Sequence, residues 1–349
     1  MSFNKTPKDI GIGDKDRVFF VAEAGINHNG SLERALELIK VARDCGADAV
    51  KFQKRTVSRI LTKEGLNKPY DTPNSFGKTY GEHKTFLELS FEDFRKMKSY
   101  ADEIGIIFMA SGWDEESVDF LDEIGVPIFK MASADLTNLP LLIHTAKKNK
   151  PMILSTGMAD LETVKEAYEV VSMRNDKVAI LQCTSSYPTL NSDINLNVIK
   201  TYQNEFKQAV IGYSGHEKGI AISIGAVTLG AKIVERHFTL DRTMKGGDHA
   251  ASLEPHGLEK LIRDIRIIEE AMGSFDKRKL PNEEKCFIKL SKSLVSKRKI
   301  NKNEKITRDM LTTKGPGSGI SPMDINSIIG LTANRDIEDD IVLYKEYFN

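Results

Sequence analysis

Residues 209–241 read AVIGYSGHEKGIAISIGAVTLGAKIVERHFTLD, and this stretch decides the fold class. It begins with AVIGYSGH and ends with KIVERHFTL, two short apolar runs rich in β-branched residues, which is typical of buried strands. Between them, GIAISIGAVTLGA has the length and period of a helix. Strands that alternate with helices along a chain form a parallel sheet. The stretch therefore predicts a strand–helix–strand unit whose two strands run parallel.

The same unit recurs along most of the chain. Strand–helix units follow one another between about residues 17 and 273, with eight strands in RVFFVAEAG, AVKFQK, IIFMAS, PIFKMAS, PMILSTG, VAILQCTS, AVIGYSGH and KIVERHFTL. This number and length match a (β/α)8 barrel of the TIM type. The alternative is a doubly wound open sheet, which usually has fewer strands and often a Gly-rich phosphate turn after the first, where this chain reads EAGINHNG. We predict an α/β protein whose barrel occupies residues 1–273.

Two segments depart from the repeat. Residues 55–89 form an insertion in the second unit that includes KPYDTPNSFGKTYGEHK, and a long polar loop of this kind is typical of a lid or binding loop. Residues 274–290 are charged and contain a proline, so we interpret them as a linker. Residues 291–349 carry the short runs SLVSKRKI and IVLYKEY around a GPGSGI turn, which predicts a small β-rich second domain.

Composition excludes several classes of protein. Lysine plus arginine and aspartate plus glutamate both number 50, so the chain lacks the basic excess of a general nucleic-acid binder. No run approaches the roughly 20 apolar residues of a membrane span, and the N-terminus lacks the apolar core of a secretory signal. The three cysteines are far apart and form no metal or disulfide pattern. We expect a cytoplasmic protein with neither a nucleic-acid nor a membrane partner.

Polar side chains collect where the predicted strands end, which is where barrel enzymes place their chemistry. They are Glu23, Lys51, Gln53, Ser111, Lys130, Ser133, Ser155, Thr184, Ser185, Ser214, His216, Glu235 and His237. A single serine at such a place is usually a cap. A dozen polar residues at nearly every strand end favour a ligand site.

His216 and His237 end consecutive strands, which are neighbours in a barrel. Two imidazoles on adjacent strand ends can share one divalent ion and leave coordination positions for water and substrate, as a Lewis-acid site requires. Alternatively, each histidine forms a hydrogen bond with a nearby loop. The spacing favours the metal.

Lys51 and Lys130 are the other unusual pair, because lysine is almost never fully buried without a partner. Glu23 and Glu235 could balance their charge in a structural role. A phosphate or carboxylate ligand could do so instead, with serine hydroxyls as donors. In a third interpretation, one desolvated lysine forms a Schiff base, as in barrel aldolases.

The chain resembles the sialic acid synthase family along nearly its whole length. The motifs that carry the resemblance are EAGINHNGS, GADAVKFQ, KTYGEHK, PMILSTGM, LQCTSSYP, GYSGHEKGIAIS, TLGAKIVERHFTLD and GGDHAASLEP. Residues 291–349 are similar to the family's C-terminal SAF domain, which has the type III antifreeze fold. The resemblance implies a domain-swapped homodimer. It also implies a transferase that condenses phosphoenolpyruvate with N-acetylmannosamine, free or 6-phosphorylated, to N-acetylneuraminate or its 9-phosphate, releasing phosphate.

The resemblance also implies roles for individual residues. A divalent metal, Mn²⁺ first with Mg²⁺ or Co²⁺ as alternatives, is expected on His216 and His237. Glu23, Lys51 and Lys130 are expected to be catalytic with these histidines, and Glu23 to manage the proton of the attacking water. The positions expected to bind phosphoenolpyruvate are Lys51, Ser111, Lys130, Ser133, Ser155, Ser185 and Ser214. Those expected to bind the sugar are Gln53, Asp135, Tyr187, Asp248 and Lys314.

Three positions depart from the bacterial branch of the family. Ser185 replaces an asparagine and Asp135 a glutamate. Gly315, beside Lys314, stands where that branch has an arginine that contacts the acetamido group of the sugar. The missing arginine and the KTYGEHK motif resemble the animal branch, which uses the 6-phosphorylated sugar. Lys78 and Lys84 of the insertion are therefore candidates for binding a 6-phosphate.

Other functions stay open on the sequence. The enzyme could make a related nonulosonic acid, of the legionaminic type or KDN. A Schiff-base aldolase that uses Lys51 or Lys130 is a second alternative, which the histidine pair disfavours. A binding protein with an inactive barrel is a third, disfavoured by the full set of strand-end residues and by the charged run SKRKINKNEK in the small domain.

Overall fold

A computed structural model describes residues 5–13 and 17–349 of the chain. Its main feature is a closed barrel of parallel strands in sequence order, in which the eighth strand pairs with the first. The strands are β1 (Phe19–Gly25), β2 (Ala49–Lys54), β3 (Ile107–Gly112), β4 (Phe129–Met131), β5 (Met152–Ser155), β6 (Val178–Cys183), β7 (Val210–Gly215) and β8 (Ile233–His237). The predicted (β/α)8 barrel is confirmed.

Helices lie between the strands, and all but the three short ones of the insertion bury apolar side chains against the outside of the barrel. They are α1 (Leu32–Asp44), α2 (Val57–Ile60), α3 (Lys63–Asn67), α4 (Tyr80–Phe86), α5 (Phe91–Ile104), α6 (Glu115–Glu123), α7 (Leu139–Ala146), α8 (Leu161–Ser172), α9 (Val198–Glu205), α10 (Ala221–Thr228) and α11 (Pro255–Met272). Capping residues in the sequence mark where several of the helices begin. The Ser31 side chain accepts a hydrogen bond from the backbone of Arg34 at the start of α1, and Ser90 and Asp93 form a capping box at the start of α5.

The inside of the barrel is built in two layers. The lower layer is apolar and consists of Val21, Ala49, Met109, Ile128, Ile153, Leu181 and Ile233 with their neighbours. Side chains two positions apart on a strand share a face. The same strands therefore present a second inward layer, two residues later, composed of Glu23, Lys51, Ser111, Lys130, Ser155, Cys183 and Glu235. This alternation places charged groups on an apolar floor at the carboxyl end of the barrel.

The insertion at residues 55–89 is compact. It holds α2, α3 and α4, and a capping box of Thr79 and Glu82 begins α4. Aromatic contacts support it: the rings of Phe76 and Phe86 stack at 4.7 Å, and Tyr70 lies 4.8 Å from the ring of His83. Its short helices give the polar, turn-rich sequence a defined surface beside the strand ends.

The chain divides into two compact units, residues up to Gly273 and Ser274–Asn349. The second unit contains α12 (Glu284–Leu290), β9 (Ser293–Ser296), β10 (Leu311–Lys314) and α13 (Ile325–Ile328), and β9 and β10 pair antiparallel. α12 lies within the segment interpreted as a linker. IVLYKEY, expected as a strand, makes only an isolated Val295–Val342 bridge, because its backbone groups bond to two different segments rather than to one ladder.

None of the helices in residues 5–13 and 17–349 has both the length and the apolar content of a membrane span.

Candidate active site

A cavity of about 310 Å³ opens at the carboxyl ends of the barrel strands. It brings together most of the residues that the sequence singled out. Those lining it are Glu23, Lys51, Gln53, Lys84, Ser111, Lys130, Ser133, Ser155, Ser185, Tyr187, Ser214, His216, His237 and Asp248. Side chains from every strand end and from the insertion thus converge on one volume.

Three of the expected site residues do not line this cavity. Asp135 is nearly buried beside it and accepts a hydrogen bond from Asn138 at 3.1 Å. Lys314 belongs to the second unit, where it pairs with Asp340. Lys78 is exposed on the insertion.

The two inward lysines are paired with the two inward glutamates. Lys51 Nζ lies 2.5 Å from Glu23 Oε2, and Lys130 Nζ lies 3.4 Å from Glu235 Oε1. Ser111 accepts a hydrogen bond from Lys51 at 3.3 Å. The structural role considered for the glutamates is therefore realised, and it leaves the lysine ammonium groups on the cavity wall, where they can also meet an anionic ligand.

Glu23 and Glu235 have opposite electrostatic surroundings. Burial raises the pKa of Glu23 above its ordinary value, against the lowering effect of Lys51. The nearby Lys130 and Lys51 hold the pKa of Glu235 below its ordinary value despite burial. A pair of carboxyl groups whose pKa values are pushed apart can divide proton transfer and charge balance between them. Glu23 is therefore the group suited to exchanging a proton near neutral pH.

Hydroxyl groups form a cradle around Gly157. Ser133 Oγ accepts a hydrogen bond from the backbone nitrogen of Gly157 at 3.0 Å. A Cβ atom at position 157 would lie 2.2 Å from Ser185 Oγ and 2.9 Å from Ser133 Oγ. Ser155 Oγ is buried without a hydrogen-bond partner in the structure. Because a buried polar atom without a partner costs free energy, this cradle is suited to a ligand that supplies acceptors.

His216 and His237 lie side by side with ring centroids 5.4 Å apart. His216 Nδ1 lies 2.8 Å from the carbonyl oxygen of Thr184. Although burial acts against it, a hydrogen bond with Cys183 raises the pKa of His216, so a metal bound to this ring would displace that contact. His237 Nδ1 is buried without a hydrogen-bond partner, and Asp248 Oδ2 lies 3.8 Å from it. Burial lowers the pKa of His237 to about 4, so the ring is neutral, as a metal ligand must be.

These two histidines fit a divalent cation that completes its coordination with water and substrate oxygens. Across the described ranges, no group of three or more His, Cys, Asp or Glu side chains is arranged to hold a metal. A closed structural site is therefore not formed there, whereas the orphaned nitrogen of His237 beside His216 suits an open catalytic one.

Lys84 is the lysine that α4 of the insertion contributes to the cavity. Burial and the nearby Arg55 guanidinium lower its pKa to about 8. Lys51 and Lys130 have carboxylate partners, but the described residues provide no ion pair within 4.0 Å for Lys84. It contacts the ring of Tyr80 at 5.1 Å. Lys84 thus brings a positive charge to the cavity wall without a direct carboxylate contact, although Asp248 and Glu88 lie close enough to favour its charged form.

Sequence reasoning missed several members of the site. Trp113, Met158 and Cys183 also line the cavity, as does Glu235, which the sequence placed at a strand end without a ligand of its own. Cys183 could have been found by the two-residue alternation that places Leu181 in the layer below. Trp113 and Met158 follow β3 and β5 in loops, where no such period applies.

The fold and the cavity together define a (β/α)8-barrel enzyme with a small C-terminal domain. A sequence model of the NeuB family matches residues 38–277, and one of the SAF domain matches residues 291–347. The chain belongs to the NeuB family, the sialic acid synthases.

Similarity to individual proteins extends along nearly the whole chain. It is 47% identical over 336 residues to the N-acetylneuraminate-9-phosphate synthase of Homo sapiens, covering 96% of this chain and 94% of that one. It is 41% identical over 330 residues to the N,N'-diacetyllegionaminic acid synthase of Campylobacter jejuni, covering 93% and 98%. The crystal structure of an N-acetylneuraminic acid synthetase from Leptospira borgpetersenii, in complex with citrate, superimposes with a TM-score of 0.69 at 33% identity, covering 77% of this chain and 90% of that one.

Proposed function

We propose that this protein condenses phosphoenolpyruvate with N-acetylmannosamine 6-phosphate to give N-acetylneuraminate 9-phosphate and phosphate. The observation that carries the proposal is the composition of the cavity, in which two lysines and a hydroxyl cradle lie beside a pair of adjacent histidines. The first set suits an anionic enol phosphate, and the second suits a metal that activates an aldehyde. The human relative at 47% identity, named as a 9-phosphate synthase, supports the phosphorylated acceptor.

Phosphoenolpyruvate is assigned to the floor of the cavity. Lys51 and Lys130 would offset its phosphate and carboxylate charges, and the cradle of Ser133, Ser155 and Ser185 would donate hydrogen bonds. Each lysine already contacts a glutamate, so the arriving anion would share the ammonium rather than replace the contact.

His216 and His237 would hold the divalent metal, for which Mn²⁺ is our first choice. When bound, the ion supplies Lewis-acid polarisation of the open-chain aldehyde of the sugar and stabilises the alkoxide that develops there. Gln53, Tyr187 and Asp248 line the same cavity and would orient the sugar.

The reaction that follows needs one carbon–carbon bond and one water. Carbon 3 of phosphoenolpyruvate attacks the aldehyde carbon, and cationic character develops at carbon 2. Water adds to carbon 2, and the carbon–oxygen bond to phosphate breaks. Glu23 in its ionised form would accept the proton of the water, while Lys51, 2.5 Å away, holds the carboxylate in place. Lys130 would offset the charge of the departing phosphate.

A homodimer in which the second unit of one chain covers the site of the other is also part of the proposal. Several large apolar side chains of the second unit are exposed in the single chain, including Phe275 and Met323, each 93% exposed, and Leu290. Exposed apolar side chains of this size favour a covered surface. In such a dimer Lys314 would approach the partner's sugar.

The direct test is product analysis. Purified full-length protein is incubated with phosphoenolpyruvate, Mn²⁺ and a panel of hexosamines with and without 6-phosphate, and products are identified by mass spectrometry. We expect the 9-phosphate of N-acetylneuraminate, no product in chelator, and turnover at least ~10²-fold lower in His216→Ala and His237→Ala. Full activity in chelator with both histidines removed would contradict the metal assignment.

The second candidate is a synthase of a free nonulosonic acid, favoured by the 41% identity to a legionaminic acid synthase. The same panel distinguishes it, because a diacetylated or unphosphorylated acceptor would then win. A Schiff-base aldolase is less suited to this site. Although burial acts against it, Glu23 and Glu235 hold the pKa of Lys51 above its ordinary value, which keeps its amine protonated. Borohydride trapping with pyruvate tests Lys130, whose pKa is lowered by burial.

A further inference from the structure

We propose that the buried Arg236–Glu217 ion pair is a positioning device that sets the separation of His216 and His237, and through it the affinity of the site for a divalent cation. The inference rests on the metal site proposed above. Neither residue lines the cavity, and neither could touch the substrate. Both would act through the histidines that they flank.

The two partners are chain neighbours of the two histidines. Glu217 follows His216 after β7, and Arg236 precedes His237 in β8. Because side chains alternate along a strand, Arg236 points away from the barrel interior while His237 points toward it. Arg236 Nη1 lies 2.7 Å from Glu217 Oε1, and Arg236 Nη2 donates to the backbone carbonyl of Glu217 at 2.6 Å. The guanidinium thus contacts both the side chain and the main chain of the residue after His216.

The backbone hydrogen bonds between β7 and β8 do not fix the position of His216. Pairing between β7 and β8 ends at Gly215 opposite Arg236, so His216 lies beyond the last pair. The backbone carbonyl of His216 accepts from Thr189, and its ring contacts the carbonyl of Thr184, both in the loop after β6. Beyond the last ladder pair and the Ser214–Glu235 hydrogen bond, the ion pair ties the residue that follows His216 to β8.

Three neighbouring residues accommodate the Arg236–Glu217 ion pair. The Tyr213 hydroxyl donates to Glu217 Oε2 at 2.7 Å, and the Ser223 hydroxyl donates to Glu217 Oε1 at 3.1 Å. A Cβ atom at Gly215 would lie 2.4 Å from Glu217 Oε2, so glycine is needed for the carboxylate to reach its place. Arg236 and Glu217 are both 0% exposed.

Stability alone does not explain such a pair. Desolvation offsets much of the attraction between buried charges, and apolar residues of similar volume often serve equally well. What an apolar pair cannot reproduce is the fixed, forked geometry of a guanidinium on a carboxylate and a carbonyl. Removing the pair should therefore make the separation of His216 and His237 less well defined.

The test separates metal affinity from stability. The dissociation constant for Mn²⁺ is measured by calorimetry without substrate, and the unfolding midpoint by circular dichroism. In the double variant Arg236→Met/Glu217→Leu we expect a dissociation constant raised about 10- to 100-fold, the range typical of lost outer-shell partners, and a lower midpoint, because the hydroxyls of Tyr213 and Ser223 lose their acceptor. Arg236→Lys, which keeps the charge and loses the fork, should lie between this variant and the wild type.

A matched control lies at the opposite end of the barrel. Arg266 pairs with Asp48 at 2.9 Å and with Glu269 at 2.7 Å, far from the strand ends that carry the histidines. Arg266→Met should shift the unfolding midpoint and leave the Mn²⁺ dissociation constant unchanged.

The inference can fail in three ways. A folded double variant that binds Mn²⁺ like the wild type overturns the inference. If the double variant does not fold, Arg236→Lys decides, and an unchanged dissociation constant there overturns it equally. If the wild type binds no Mn²⁺, or binds it unchanged after His216→Ala, the metal site itself is refuted and the inference is refuted with it.

Discussion

At the scale of single residues, the site depends on close approaches that tolerate no added atom. Gly157 is the clearest example, because its missing side chain is the space in which the hydroxyl groups of Ser133 and Ser185 converge. On the cavity floor, Lys51 and Lys130 each lie beside a carboxylate group. Two substitutions test these features separately.

Gly157→Ala should weaken phosphoenolpyruvate binding without unfolding the barrel. The new methyl group would occupy the space between Ser185 Oγ and Ser133 Oγ. We expect the KM for phosphoenolpyruvate to rise at least ~10-fold, the loss of one charge-assisted contact of roughly 1.5–3 kcal/mol, measured by phosphate release. Gly257→Ala is the control, because a Cβ at that position in α11 meets only ordinary contacts at 3.7 Å. A normal KM in a folded Gly157→Ala variant would remove the cradle from the phosphoenolpyruvate site.

Lys51→Met should change the pH profile as well as the rate. Lys51 lowers the pKa of Glu23, and burial raises it. Removing the ammonium therefore raises this pKa further, and the ionised form of Glu23 is reached only at higher pH. The acid limb of kcat/KM should move to higher pH, with the maximum at least ~10-fold lower. Lys130→Met is the comparison, and it should lower the rate with a smaller movement of the acid limb. An unmoved limb in Lys51→Met would mean that Glu23 is not the base.

At the scale of elements, the insertion is the part of the barrel to which we assign selectivity for the proposed acceptor sugar. The sequence proposed Lys78 and Lys84 together, but α4 brings only Lys84 to the cavity, while Lys78 stays exposed. The two lysines therefore form a matched pair of variants on one loop.

Lys84→Met should reduce the preference for the phosphorylated sugar by about 10-fold or more in kcat/KM, as expected for one charge-assisted contact of roughly 1.5–3 kcal/mol. Lys78→Met should leave the preference unchanged. In the wild type the preference should fall as pH rises through about 8, because Lys84 then loses its proton in the free enzyme. Equal turnover of both sugars by the wild type would return the chain to the free-sugar class.

The strand–helix units and the loops differ in how well the sequence predicts them. Periodicity was sufficient for the eight strand–helix units, and strand-end position for most of the cavity lining, because both follow from the geometry of one repeated unit. Asp135 could not be placed this way, since it lies in a turn after β4 where direction depends on tertiary packing. The short helices of the insertion and the isolated bridges of the second unit were missed for the same reason.

At the scale of the whole molecule, the chain has zero formal net charge, and its cavity gathers three lysines beside the carboxylates of Glu23, Glu235 and Asp248. Binding of the proposed anionic substrates would therefore depend on how these charges are placed at the barrel mouth rather than on the net charge of the chain. The proposed dimer adds a second whole-molecule requirement, since Lys314 belongs to the other compact unit.

Full-length protein should have twice the mass of one chain in light scattering. A chain ending near Glu284 should remain folded by circular dichroism and lose most of its activity, because the cover of the partner's site is removed. Adding the separate second unit in excess is the control, and it should restore little activity if a swapped connection is needed. A fully active truncated monomer would refute the swapped arrangement.

The apolar layer beneath the site has a consequence for the order of events in a turnover. Val21, Ile153 and Ile233, with their neighbours, fill the barrel interior below the lysines, so ligands reach Lys51 and Lys130 from the strand-end side. The enol phosphate on the floor must then load before the sugar seated above it. Bisubstrate kinetics should accordingly be sequential and ordered, with the sugar acid departing before inorganic phosphate. Because both substrates and both products pass through the same opening, product release would limit the turnover rate.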